Sequence, residues 1–100
     1  MEIRFRTRKL RKQYEDHREA EKAYGPQVAR RYIERVNLIK SSQDIEVLKK
    51  LPGLRCHSLK GNRSGEWALN LTDRYRLIFV LEGARLEIAT IQEVSKHYED

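Results

Sequence analysis

The residues best suited to chemistry lie in one stretch of the chain, from Cys56 to Arg76. Two glycines bracket a short loop that carries Arg63, and Lys60 comes directly before that loop. Glycines let a backbone approach a ligand closely, and Lys and Arg bind phosphate oxygens. His57 precedes the loop. This grouping favours a phosphate-containing ligand, although a basic hairpin loop with no ligand would have the same composition.

Other kinds of site have little support in the sequence. The three histidines lie far apart and have no neighbour at metal-ligand spacing, so neither a metal nor a cofactor is predicted. The glycine motifs of nucleotide-binding folds and of hydrolase nucleophile elbows are missing. The single cysteine, Cys56, cannot form an internal disulfide, which fits a reducing cytoplasm. Its position in the apolar strand pattern of residues 54–59 indicates a packing role.

The length and charge of the chain suggest one small domain with a polyanionic partner. A chain of 100 residues is long enough to bury one core, so residues 1–100 are predicted to form a single domain. No apolar run suits a signal peptide or a membrane span, so no membrane association is predicted. The net charge is +6, and the basic excess lies in the first forty residues. Nucleic acid or an acidic protein would be attracted to such a positively charged chain.

The first forty residues predict a strand followed by a pair of helices. Alternation of apolar and charged residues predicts a strand over 2–6. A run without Pro or Gly, after a possible cap at Thr7, predicts one helix to Tyr24, and Gly25 with Pro26 ends it. A second helix begins at Pro26 and has an apolar stripe at helical spacing, which comprises Val28, Tyr32, Val36 and Ile39.

The rest of the chain predicts a sheet. After a short helical segment over 45–51, strand-like periods cover residues 54–59, 67–71, 75–81 and 86–91. Short turns predict that the last three strands form an antiparallel meander, and the run 77–81, apolar on both faces, predicts its central strand. Two helices cover one face, which leaves the tail after Val94 as the candidate to cover the other. The expected fold class is α+β with a three- to four-stranded, mainly antiparallel sheet.

The loop and the following strand also match a known motif. Residues 57–67 read HSLKGNRSGEW and residues 75–79 read YRLIF. This arrangement resembles the H-x-L-K-G-x-x-x-G-x-W … W/Y-R-I/L-x-F pattern of HigB-type toxins, which belong to the RelE/ParE superfamily of bacterial toxin–antitoxin systems. The motif covers residues 56–80, and the strand–helix–helix opening agrees with the family in layout. The resemblance implies a RelE-like fold.

The resemblance further implies an activity and a set of partners. HigB-type toxins are ribosome-dependent, metal-independent endoribonucleases that cut mRNA, and a cognate helix-turn-helix antitoxin of the HigA type silences them. The implied catalytic residues are His57, Lys60, Arg76 and His97; the implied substrate-binding residues are Arg63, Tyr75, Lys96 and Tyr98. The family often ends in Val-Asp-Tyr-His, whereas residues 94–97 here read Val-Ser-Lys-His. Tyr98 is the candidate to replace the missing aromatic residue.

The implied catalytic residues suit cleavage of RNA. Such cleavage needs a base for the 2′-hydroxyl proton, positive charge on the transition state and an acid for the 5′-oxygen. His57 and His97 are the candidate base and acid, in an order that stays open. Arg76 is the candidate clamp on the phosphate oxygens, and Lys60 assists it.

Two other functions remain open at this point. A ParE-like toxin that targets DNA gyrase would have the same fold, because a fold shared across a superfamily does not fix the activity. A non-catalytic basic module that binds an antitoxin or RNA would have the same charge. Inhibition of supercoiling with intact mRNA would indicate the first, and normal growth on overexpression of the free chain would indicate the second.

Overall fold

The computed structural model describes residues 1–96 and confirms the predicted α+β fold. A strand and two helical segments are followed by a long helix, a short helix and four further strands, with a 3₁₀ turn before the second of those four. The helices are α1 Arg8–Glu15, α2 His17–Tyr24, α3 Pro26–Ser41 and α4 Ile45–Lys50. The strands are β1 Glu2–Phe5, β2 His57–Ser58, β3 Glu66–Asn70, β4 Tyr75–Glu82 and β5 Ile88–Lys96; the 3₁₀ turn is Gly61–Arg63.

The helix predicted over residues 7–24 is divided in two at Asp16. Asp16 has an extended backbone, with φ −129° and ψ 106°, and its carboxylate accepts a hydrogen bond from the Arg18 amide at 3.0 Å. It therefore ends α1 and caps α2, because a short polar side chain offers the backbone an alternative to the helix. The prediction of one helix was wrong here. The sequence contains a signal for this cap, because Asp16 is followed three positions later by Glu19.

Five strands form one mixed sheet in the order β1-β5-β4-β3-β2. The strands β2 to β5 pair antiparallel, as predicted for the meander, whereas β1 pairs parallel with β5 at the sheet edge. The strand expected over 54–59 is confined to two residues. The strand expected from Leu86 begins two residues later, because Leu86 has a left-handed backbone with φ 54° and belongs to the β4–β5 loop.

The core lies between the helices and one face of the sheet. The predicted stripe of α3 is buried, and it packs with sheet residues that include Leu69, Leu77, Phe79 and Ile91. On the opposite face, which we call the second face, Ala68 and Ile78 are also buried. The prediction that the tail covers the second face lies largely outside the described residues. Among residues 1–96, no helix is long and apolar enough to cross a membrane.

The buried hydroxyl of Tyr32 joins α3 to α1, and its removal should destabilise the fold. This hydroxyl donates to the Leu10 carbonyl at 2.8 Å, and burial raises the pKa of Tyr32. Tyr32→Phe leaves that carbonyl without its donor and should lower the free energy of unfolding by about 1 to 2 kcal/mol, measured by urea denaturation. Tyr14→Phe removes an exposed hydrogen bond to Asn37 and is the matched control. Equal losses in the two variants would contradict this role.

Candidate functional site

The sheet register brings two of the predicted catalytic residues to the second face. His57 lies opposite Ala68, which lies opposite Ile78. Arg76 is two residues before Ile78 on β4, and side chains two apart on a strand point to the same face. Paired residues on antiparallel strands also share a face. His57 and Arg76 therefore project from the same side of the sheet, away from the helices.

The spacing of these residues suits a ligand the size of a nucleotide. Two strand spacings across the sheet and two residues along it separate the Cα atoms of His57 and Arg76 by roughly 12 Å. Their long side chains can converge on a group that lies between them. A phosphodiester with its flanking ribose oxygens fits that gap, whereas direct contact between the two side chains is not required.

His57 is held in one orientation by the backbone. It is exposed, and its Nδ1 lies 2.7 Å from the Arg55 carbonyl oxygen. Because a carbonyl oxygen only accepts, Nδ1 carries the proton and donates it, so Nε2 is the ring nitrogen left for other contacts. The neutral ring then has its lone pair on Nε2. Arg55 has a left-handed backbone with φ 51°, an uncommon conformation for a residue other than glycine.

Arg76 is the residue of the second face whose polar atoms are least satisfied. Its side chain is half-buried, and its Nε is buried without a hydrogen-bond partner among the described residues. A buried donor without a partner costs free energy of about 1 to 3 kcal/mol. Such a cost is typical of a donor that is satisfied when a ligand binds. The planar guanidinium of arginine can donate to two oxygens of a phosphate at once.

Arg63 anchors the loop between β2 and β3 to the second face through two ion pairs. Its guanidinium donates to the carboxylates of Glu66 and Glu93, and these two hydrogen bonds raise its pKa. Glu93 lies opposite Ile78, in the same row as His57. The predicted role of Arg63 in binding substrate would require it to leave one of these carboxylates. Lys60, exposed at the start of the same loop, makes no ion pair with residues 1–96.

The other predicted binding residues do not join this face. Tyr75 alternates with Arg76 and packs against the helix-side core, and Lys96 lies opposite Tyr75 in the register. His97 and Tyr98 lie outside the described residues, so their predicted roles stay predictions. Within residues 1–96, no three His, Cys, Asp or Glu side chains are grouped as metal ligands.

Two residues of the site were missed by sequence reasoning. Arg55, which orients His57 through its carbonyl, has no signal in the sequence, because a left-handed backbone at arginine does not follow from residue type. Glu93 is a partner of Arg63 from a strand thirty residues away. The excess of acidic residues near the end of the chain was the only hint of that pairing.

Cys56, next to His57, is predicted to react slowly. It packs against the core, and burial raises the pKa of its thiol to about 11. At pH 8 only about 0.1% would be thiolate, the reactive form, and this fraction should rise about tenfold per pH unit up to about pH 10. Labelling by a disulfide reagent should follow that rise and be far slower than in the urea-unfolded chain. Equal rates at pH 8 in both states would contradict the packing role.

Comparison with solved structures defines the class of fold. Over 98% of this chain and 100% of the other, the structure is similar to the YoeB/ParE toxin from Agrobacterium tumefaciens, with a TM-score of 0.65 and 16% sequence identity. The YoeB–YefM complex from Staphylococcus aureus gives a TM-score of 0.63 at 15% identity over 98% of each chain. A mutant of YafQ from E. coli gives 0.61 at 16% identity over 95% and 91%. The fold is that of the RelE-like toxins.

Sequence comparison then assigns the family. The model of the HigB-like toxins, described as the RelE-like toxin of the type II toxin–antitoxin system HigB, matches residues 3–92. The chain therefore belongs to the HigB-like toxin family, as the loop motif predicted. A search of curated proteins returns no match to the sequence. The family match ends at Gln92, before the segment in which residues 94–97 depart from the family pattern.

Proposed function

We propose that this type II toxin is a ribosome-dependent, metal-independent mRNA endoribonuclease whose active site is the second face of the sheet. The observation that carries the proposal is the buried, unpartnered Nε of Arg76 on the face that also presents His57 with its Nδ1 engaged. RelE-like toxins are generally endoribonucleases that cleave mRNA, and membership of the family supports the same activity here.

The proposed reaction is an attack by a 2′-hydroxyl on the neighbouring phosphate. A base takes the 2′-hydroxyl proton as the new O–P bond forms, and an acid gives a proton to the 5′-oxygen as the P–O5′ bond breaks. The products are a 2′,3′-cyclic phosphate and a 5′-hydroxyl. His57 acts through Nε2 in one of these roles, and His97 takes the other.

The cations stabilise the charge that develops in this reaction. Arg76 binds two non-bridging oxygens of the phosphate, and its interaction strengthens as negative charge builds up in the transition state. Lys60 adds a point charge from the loop that Arg63 fastens to the sheet. The ion pairs of Arg63 thus hold the loop in place, and its guanidinium contacts RNA only after one carboxylate is released.

The proposed partners are an antitoxin, the ribosome and mRNA. One structural neighbour is a YoeB–YefM complex, in which a toxin of the same fold is assembled with YefM. By analogy, a helix-turn-helix antitoxin of the HigA type binds and silences this chain in the cytoplasm. An open reading frame for such a protein beside this one is the expected genetic context.

A single-turnover assay tests the proposed activity. Excess toxin is mixed with ribosomes programmed with labelled mRNA, and the same mRNA without ribosomes is the control. We expect cleavage on the ribosome and little cleavage of free mRNA. Intact mRNA together with inhibition of DNA supercoiling would indicate a gyrase-targeting toxin instead. No effect in either assay would indicate a module that binds without catalysis.

A further inference from the structure

A basic cleft lies on the helix side of the sheet, away from the second face. It has a volume of about 480 Å³ and is open to solvent between α3 and the turn that joins β3 to β4. Gln27 and Val28, in the first turn of α3, lie at its wall together with the turn residues Thr72 and Asp73. The free amides of that helix end add partial positive charge to the cleft.

Three arginines give the cleft its charge. Arg31 and Arg35 are four residues apart on α3, hence on one face of the helix, and Arg74 lies across from them on the turn. Asp73 is the only carboxylate that lines the cleft in the described chain. None of the three guanidiniums forms an ion pair with residues 1–96.

Arg35 differs from the other two because it is partly held by the protein. Its Nε donates to the Asn70 carbonyl at 3.3 Å. Burial, and after it the charge of Arg31, lowers the pKa of Arg35, while Glu34 acts in the opposite direction. Two cations that repel each other beside an open cleft would be stabilised by a bound anion.

We propose that the Arg31–Arg35–Arg74 cleft is a second RNA-binding site that takes backbone phosphates of a single strand. The wall offers the polar side chains of Gln27 and Thr72 to ribose and phosphate oxygens, and Tyr75 at its edge offers an aromatic ring to a base. An antitoxin helix would instead bind through an apolar groove. The lining is predominantly polar and charged, so RNA fits it better than a protein segment.

The position of the cleft links it to the proposed active site. Arg74, Tyr75 and Arg76 are consecutive, and Tyr75 and Arg76 point to opposite faces at the end of the β3–β4 hairpin. A strand of RNA whose scissile phosphate is bound by Arg76 can therefore continue around the hairpin end into the cleft. The choice of RNA as ligand rests on the proposed function. The cleft contributes to binding and not to the chemical step.

Binding of a labelled RNA tests the cleft without any cleavage. The probe is a fluorescein-labelled, fully 2′-O-methylated 20-nucleotide RNA, and its anisotropy gives Kd over a series of salt concentrations. Arg31→Ala with Arg74→Ala should weaken binding about tenfold or more, since two charge-assisted contacts are lost. The slope of log K against log salt should become less steep by about 1.4, because each phosphate contact to a single strand contributes about 0.7 to that slope.

Matched variants separate the cleft from general charge. Arg18→Ala with Arg30→Ala removes the same charge from exposed positions on α2 and α3 outside the cleft and should change Kd and slope much less. Arg31→Lys with Arg74→Lys keeps the charge and should restore the salt slope, which distinguishes a lost phosphate contact from lost packing. We call Arg31→Ala with Arg74→Ala the cleft pair and Arg18→Ala with Arg30→Ala the control pair. If the two pairs weaken RNA binding equally, the proposal is overturned. It is also overturned if the cleft pair impairs binding of a labelled polyglutamate peptide but not of RNA.

Programmed ribosomes identify the source of the RNA and separate this inference from the proposed function. A photocrosslinking amino acid at Thr72 should link to messenger or ribosomal RNA, and linkage to ribosomal protein alone would oppose the proposal.

The cleft pair should raise the toxin concentration needed for half-maximal cleavage and leave the limiting rate unchanged. If the cleft binds RNA but the parent cuts no mRNA, the nuclease assignment fails and the cleft stands. If the parent cuts mRNA and the cleft pair binds RNA and cuts mRNA as the control pair does, only the cleft fails.

Discussion

Arg76→Ala should slow single-turnover cleavage of mRNA on the ribosome by about a hundredfold or more without destabilising the protein. The loss of rate follows from removal of a positioned donor that stabilises transition-state charge. The retained stability follows from the buried Nε, which has no partner among residues 1–96, so truncation removes an unsatisfied group. The free energy of unfolding should stay the same or increase.

Two further variants make the result for Arg76 specific. Arg76→Lys keeps the charge but loses the planar fork, so its rate should lie between those of the parent and the alanine variant. Arg85→Ala removes an exposed arginine from the β4–β5 loop, at the far end of β4, and should cleave like the parent. If Arg76→Ala cuts as fast as the parent, or loses activity only because it unfolds, the assignment of Arg76 as clamp is wrong.

His57→Ala should have the second large effect, again about a hundredfold or more on the single-turnover rate. General acid–base catalysis by a positioned side chain contributes factors of about 10² to 10⁴. His57→Gln should be equally slow, because an amide can form hydrogen bonds but does not transfer a proton near neutral pH. Since His57 is exposed on a two-residue strand, neither change should alter the fold.

Chemical rescue distinguishes proton transfer from simple binding. Free imidazole added to His57→Ala should restore part of the rate, because the small ring can occupy the space at the exposed strand. His17→Ala is the control, since His17 is an exposed histidine on α2, a helix that packs against α3 and not on the second face. Full activity of His57→Ala, or a slow variant that imidazole never rescues, would argue against His57 as the proton-transfer group.

The sequence predicted the parts of the fold that follow from local pattern. The stripe on α3 and the apolar run at 77–81 are periodic signals, and both form the core as expected. The parallel pairing of β1 with β5 was not predicted, because it joins residues more than eighty positions apart and no turn connects them. The division of the first helix at Asp16 was not predicted, because the helix propensity of residues 7–24 favours one continuous helix and the capping side chain of Asp16 overrides it.

The candidate site was predictable only in part, since strand alternation decides which residues meet. His57 and Arg76 share a face because both lie in register with Ala68 and its neighbours. Tyr75 does not join them, because it is adjacent to Arg76 and adjacent strand residues point apart. That His57 shares a face with Arg76 follows only from the pairing register of β2 with β3. The motif alone gave the residue types but not their convergence.

The contacts that orient the site were not predictable from residue types. The Arg55 carbonyl reaches His57 through a left-handed backbone, and Arg63 is paired with a carboxylate on β5. The first depends on a local backbone conformation that residue type does not fix, and the second depends on tertiary pairing. The loop motif nevertheless identified the family, which the match over residues 3–92 confirmed.

The most direct test of the central claim is cleavage of an mRNA that lacks one 2′-hydroxyl. After the cut site on programmed ribosomes is mapped, a single 2′-deoxynucleotide replaces the nucleotide on the 5′ side of that bond, and the single-turnover rate is measured. Attack by the 2′-hydroxyl predicts loss of cleavage at that position, with a 2′,3′-cyclic phosphate and a 5′-hydroxyl on the products of the unmodified mRNA. Cleavage of the deoxy-substituted mRNA at the parent rate would contradict the proposed chemistry of the second face.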